Sequence, residues 1–188
     1  MAALRSAARK VVGRMEIVPP VRATRFEQLE AGDLFIYMDG RQTFYALKTQ
    51  QPASGDRRTM VLLGPSFIQD VAESFLVPWQ PVTVLSLGKS FSILPSLDAA
   101  SWSPTGPSRT PVGLAVVEED TYICTNGGPS PQNYFPCFVN VKTGAIVEGR
   151  LPSSVAFTNN WEIAALAANH PPRAILKYPL QQPVAQLK

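Results

Sequence analysis

The sequence predicts a mainly β protein: two small antiparallel β-barrel or sandwich units of SH3-like size in tandem, with a short N-terminal helix and an extended C-terminal arm. Three observations carry that expectation. The 188 residues include 18 prolines against 12 glycines, and proline breaks helix interiors while fitting turns, edge strands and linkers, so long helices should be scarce. The apolar residues come in short runs closed by Gly, Pro or Asp rather than in long stripes of helical period. Both halves of the chain also carry a hairpin-like stretch, LFIYMDGRQTFYALKT (residues 34–49) and GLAVVEEDTYICTN (residues 113–126).

A hydrophobic content of 45% with 9% aromatic residues is enough for a real core. No apolar run reaches the roughly 18 to 20 residues that a membrane-spanning helix needs, so no transmembrane segment is expected. The formal charge of +3 has a local source: residues 1–25 hold six basic side chains against Glu16 alone, leaving eleven basic and thirteen acidic ones for the rest. The body is therefore mildly acidic and the N-terminal arm basic, which supports at most a basic arm and not a nucleic-acid groove on the body.

Within that arm, residues 1–25, Leu4, Val11 and Met15 recur at helical spacing, with Arg5, Arg9, Lys10 and Arg14 mostly on the other side. A short amphipathic helix ending before Pro19 fits, offering its apolar residues to protein. Nucleic-acid binding, a membrane surface and an organelle transit peptide compete with that reading, since the start is Arg-rich and poor in acids. No secretory signal is evident, so the cytoplasm or a larger particle is a better expected setting than secretion.

The first β unit spans residues 26–93. Asp39-Gly40 lies between the runs 34–38 and 43–47 and predicts a two-residue hairpin turn, because a type I′ turn needs positive φ at both central positions. A third strand follows over 59–63, then short strands in PVTVLSL and KSFSIL. Residues 94–111 are dense in Pro and Ser and predict a linker or long exposed loop. The second unit, residues 112–168, holds runs at 114–117, 121–125, 137–141 and 145–148. Aligned by hand, Tyr45, Val61, Gly64 and Trp79 fall near Tyr122, Val139, Gly144 and Trp161, which leaves duplication and a chance likeness of two meanders both open. EIAALAAN after Trp161 reads either as a short helix stopped by Pro171-Pro172 or as a last strand closing the second barrel. Residues 169–188 are too rich in proline for regular structure and predict an extended arm, whose Ile175 and Tyr178 should pack on something.

The chain offers little to catalysis. It has one histidine, His170, so a multi-His metal site is excluded and any Ser-His-Asp or Cys-His pair must form around that residue. Cys124 and Cys137 lack CxxC spacing; they sit on expected neighbouring strands within possible reach of each other and read as reduced core residues. Glu118-Glu119-Asp120 is the one acidic run, but alternation along a strand leaves at most two carboxylates together. No Gly-rich phosphate loop, GxSxG elbow, HExxH or EF-hand spacing occurs. Neither a metal nor another cofactor is expected.

Trp102 in the linker, with Tyr134 and Phe135 in the loop before Cys137, are exposed-looking aromatics of the kind small β-barrels use to hold peptides or stack bases. Basic residues are not interleaved with them, apart from Arg109 near Trp102, so single-stranded nucleic acid fits poorly. The function expected is a non-enzymatic binding or assembly module that holds a protein partner or further copies of itself. Candidate contacts are Leu4, Val11, Met15, Trp102, Tyr134, Phe135, Ile175 and Tyr178. The alternative is a nucleic-acid-associated protein working through Arg5, Arg9, Lys10 and Arg14; a hydrolase centred on a cysteine or on His170 is a remote third.

Overall fold

The computed structural model describes residues 21–39, 42–50, 58–64, 74–76, 81–104, 113–126, 136–151, 155–168 and 170–179. The protein is mainly β. In chain order the strands are β1 (Arg22–Arg25), β2 (Leu34–Asp39), β3 (Gln42–Lys48), β4 (Arg58–Gly64), β5 (Ser74–Leu76), β6 (Thr83–Gly88) and β7 (Phe91–Pro95). They continue as β8 (Trp102–Ser103), β9 (Leu114–Val117), β10 (Asp120–Asn126), β11 (Pro136–Asn140), β12 (Ile146–Glu148), β13 (Ala156–Thr158), β14 (Trp161–Ala167) and β15 (His170–Tyr178). Two single 3-10 turns, Phe26–Gln28 and Ala99–Ser101, complete the described elements.

The strands form three antiparallel sheets. The first runs β1-β6-β2-β3-β4-β5 and the second, read from β8, runs β8-β13-β9-β10-β11-β12. Strand for strand the two orders coincide, with β1 answering to β8, β2 to β9 and so on. The correspondence extends to register: Leu47 lies opposite Leu34 and Val61, and Ile123 lies opposite Leu114 and Val139. Val61 and Val139 thus occupy matching places in the two ladders. Tyr45 and Tyr122 do not: Tyr45 packs on the central core and Tyr122 on the cluster behind the second sheet, since a slip of one residue turns a side chain to the other face. Gly64 ends β4 while Gly144 lies in the turn after β11, and Trp79 is outside the described residues.

Neither sheet closes into a barrel, contrary to the expectation. Closure needs the end strands of a sheet to pair, but β1 pairs with β6 and β5 with β4. The strands that follow, β7 and β14, instead pair with each other and, with β15, make the third sheet, β15-β14-β7. Their ladder is symmetric about Ile93 opposite Ile163, with Phe91 facing Ala165 and Pro95 facing Trp161. At its ends the Leu166 N–H donates to the Ser90 carbonyl (2.9 Å) and the Ser96 N–H to the Asn160 carbonyl (2.8 Å), each the image of the other.

One central core draws on all three sheets: Leu34, Leu47, Val61 and Leu63 from the first, Leu114, Ile123 and Val139 from the second, and Trp161, Ile163, Leu176 and Tyr178 from the third. A second cluster backs the first sheet, where Phe26 and Leu29 of the turn after β1 cover Phe35, Phe44 and Met60. The first two sheets are also stitched through backbone. The Gln50 N–H donates across to the Gly144 carbonyl at 2.8 Å, while on the first sheet's own side the Gly32 N–H donates to the Lys48 carbonyl at the same distance. Gly32 (φ +85°) and Gly144 (φ +70°) approach so closely that a Cβ on either would lie 2.6 Å from a carbonyl oxygen, of Lys142 and Lys48 respectively. Only glycine fits such a contact at positive φ.

Several expectations are corrected. The first hairpin forms, but Asp39 pairs with Gln42, so Gly40-Arg41 and not Asp39-Gly40 lies between the strands. Of the two readings of EIAALAAN the strand is the one that forms, as Trp161–Ala167, though it closes no barrel: its helix formers are overridden because β7 and β15 flank it on both sides, and tertiary pairing outweighs propensity. The C-terminal arm is, over residues 170–178, the longest described strand. Its prolines are tolerated because β15 is an edge strand and Pro171-Pro172 lie at a register break opposite β14. Residues 22–25, assigned to the basic arm, pair with β6, and residues 102–103, assigned to the linker, pair with β13. The predicted N-terminal helix lies outside the described residues.

Candidate functional site

The residues with chemical potential do not converge. Register puts Cys124 opposite Phe138 and Cys137 opposite Thr125 on neighbouring strands. Directly opposed residues share a face and successive residues alternate, so the two thiols point to opposite sides of the second sheet. Both thiols are buried, and burial pushes the Cys124 thiol up to about 12, where it is no nucleophile at neutral pH. His170 is exposed at the start of β15, in a different sheet. Glu118 and Glu119 are the turn between β9 and β10, exposed, with Glu118 at φ +55°. Among the described residues no three His, Cys, Asp or Glu side chains group as metal ligands would.

Of the expected contact residues, Leu4, Val11 and Met15, the basic Arg5, Arg9, Lys10 and Arg14, and Tyr134 and Phe135 lie outside the described residues. Ile175 and Tyr178 are used within the chain. Tyr178 is buried in β15, its ring stacked on Trp161 with centroids 4.2 Å apart, and its hydroxyl donates to the Leu63 carbonyl. Ile175 is half-buried against the same core. Trp102 is half-buried in β8, its indole N–H bonded to the Ser96 carbonyl at 2.8 Å. Ile175 and Tyr178 thus pack on their own chain, and Trp102 is half-buried where an exposed linker tryptophan was expected.

Lys48 was not singled out from the sequence. Its ammonium sits 3.5 Å from the centroid of the Phe26 ring, and Phe26 meets Phe35 edge-on at 5.6 Å. Burial lowers Lys48 from the usual 10.5 to about 8, against a smaller upward pull from Glu27. The signal was its phase: Phe44, Ala46 and Lys48 alternate onto one face of β3, so the lysine follows two core residues.

The third sheet carries the most conspicuous surface. The described residues include four exposed large hydrophobics, and three of them belong here: Leu94 on β7, Leu166 on β14, and Leu97 just beyond β7, which is 98% exposed. Ser92 faces Ala164 and Leu94 faces Glu162, so Leu94 and Leu166 share the face turned from the core, around the buried Ala164. The edges of this sheet differ. On the β14 side β15 covers Trp161, Ile163 and Ala165, which are all buried. On the other side the matching Phe91, Ile93 and Pro95 are only half-buried, and among the described strands β7 pairs with β14 alone.

Comparison with protein-family models, curated proteins and solved structures finds no match to this chain. What the chain does is therefore argued from its own geometry.

Proposed function

We propose that this protein is a non-enzymatic binding or assembly module, a doubled β unit that holds neighbouring protein through the three-stranded sheet where its halves meet. One observation carries the reading: of the four exposed large hydrophobics among the described residues, Leu94 and Leu166 lie on this one small sheet and Leu97 just beyond it. Exposed apolar side chains concentrated in this way favour a contact site over ordinary scatter. The scattered thiols and the lone exposed imidazole support the non-enzymatic half of the proposal, since a catalytic constellation requires its members within hydrogen-bond reach.

The full chain should sediment as a species larger than the monomer, or capture a protein partner. The triple change Leu94→Ser, Leu97→Ser, Leu166→Ser should abolish that contact while leaving the circular dichroism spectrum unaltered. Wild type and variant behaving alike would sink the proposal. If instead the chain binds DNA or RNA tightly, with affinity falling steeply with salt, the alternative acting through Arg5, Arg9, Lys10 and Arg14 takes its place.

A further inference from the structure

We propose that the partner at this surface is a second copy of the chain, joined edge to edge: the outer edge of β7 pairs antiparallel with the outer edge of β7 in its neighbour, making one six-stranded sheet. This rests on reading the third sheet as a protein-contact surface. The argument starts from the internal likeness of the two halves. Trp161, Ile163 and Ala165, flanked by β15, are 2%, 0% and 3% exposed, while their counterparts Phe91, Ile93 and Pro95 on the edge strand remain half-buried. A strand lying along β7 would complete on this side what β15 completes on the other.

The backbone is set for it. Ser90 and Ser96 bond toward β14, and inward and outward bonding alternate along an antiparallel strand. Phe91 and Ile93 therefore direct both N–H and carbonyl to the outer edge; Pro95, with no N–H to leave unpaired, directs a carbonyl there. Other edges are guarded in the ways that discourage strand addition. β15 carries Pro171, Pro172, Arg173 and Lys177 and two register breaks, β1 carries two arginines, β8 is two residues long, and β5 and β12 are only three residues each. β7 has five uncharged residues and an unbroken register.

Self-pairing follows from what β7 already does. Its inner edge pairs antiparallel with β14, its own counterpart, about the Ile93–Ile163 position, so its side chains fit a neighbour of its own type. An outer ladder centred on Ile93 makes the Phe91 N–H donate to the partner copy's Pro95 carbonyl and exchanges two bonds between the Ile93 residues. It also brings Lys89 at one end near Asp98 at the other, opposite charges at both ends. Such an interface is isologous and closes on two copies.

The test combines sedimentation of the full chain with residue-resolved hydrogen exchange. Dimerisation should slow exchange of the Phe91 and Ile93 amides by ~tenfold or more as protein concentration rises, because edge amides open to water become ladder amides. In this register residue 92 lies opposite residue 94 of the other copy. The pair Ser92→Lys, Leu94→Lys therefore sets like charges face to face and should give a folded monomer. Mixing that variant with Ser92→Glu, Leu94→Glu should restore a mixed dimer. A dimer whose Phe91 and Ile93 amides stay open overturns edge pairing while leaving the contact surface standing. A monomer at every concentration, with open or closed edge amides, overturns the second copy as occupant, and failure of the charge-swapped variants to pair overturns the register.

Discussion

Lys48 follows Phe44 and Ala46 onto the face of β3 that backs the first sheet, so its charge is held in a half-buried place against Phe26. Its pKa is lowered to about 8, first by burial and with Glu27 opposing. Between about pH 8 and 10.5 the unfolded chain keeps a proton that the folded chain has released, so stability from this group rises with pH across that window. Replacing Lys48 by Met should therefore stabilise the protein most near neutrality, and its advantage in Tm should shrink toward pH 10. An advantage independent of pH would mean that the charge is not strained. Gly32 and Gly144 give a second residue-scale expectation. Gly32→Ala and Gly144→Ala each drive a methyl into a backbone carbonyl and should cost on the order of 2 to 4 kcal/mol in urea unfolding. Gly149→Ala, at φ +88° with nothing within 4 Å of its Cβ, should cost only the left-handed strain of about 1 to 2 kcal/mol. Equal losses at all three would refute the seam as the cause.

At the scale of elements, legibility followed the strength of local patterning. Runs such as Thr59–Leu63 and Leu114–Val117 alternate or are continuously apolar, and they appear as β4 and β9 nearly to the residue. β8 and β13 are two and three residues long, too short for any period to declare itself; their existence depends on β9 lying alongside β13. β15 was hidden by its prolines, which argue against a strand unless it is known to lie at an edge beside a register break. The importance of that strand can be measured. Tyr178→Phe removes the hydroxyl that serves the buried Leu63 carbonyl and should cost about 1 to 3 kcal/mol, with the ring stack on Trp161 intact and near-ultraviolet dichroism nearly unchanged. No loss of stability would show that the Leu63 carbonyl finds another donor. The opposed cysteines follow the same logic of register: under mild oxidation the folded protein should form no Cys124–Cys137 bond, and a mass lower by two hydrogens without unfolding would contradict the pairing of β10 with β11.

For the whole molecule, the sequence conveyed the mainly β class but not how the strands of its two halves join into three sheets. Nothing in FSIL or in EIAALA says that each will leave its own sheet to meet the other, because that choice is made by pairing between residues far apart in the chain. The exposure of Leu94 and Leu166 was equally unreadable, since both look like core residues until the faces are assigned. The shared core has a direct consequence for stability. Residues from all three sheets meet around Ile163, so the protein should unfold in a single transition, with far-ultraviolet dichroism and tryptophan fluorescence coincident. Ile163→Ala should lower stability by about 2 to 5 kcal/mol and speed exchange of core amides in β2–β4 and β9–β11 together. Loss confined to one half would mean that the halves are energetically separate.

Pro171 and Pro172 matter for growth as well as for register. A sheet receptive on both flanks can recruit neighbours without limit, and its natural end product is a fibre. Here one flank of the β15-β14-β7 sheet is barred by two residues without amide hydrogens, two register breaks and nearby positive charge, so any extension has to take place at the opposite flank and stops once that flank is filled. If copies join through β7 as proposed, the prolines that disguise β15 in the sequence would act as a terminator and keep the assembly finite in size. Substituting both with valine would test this at the scale of particles: light scattering should then reveal slow, open-ended association, whereas the native sequence stops at a fixed mass.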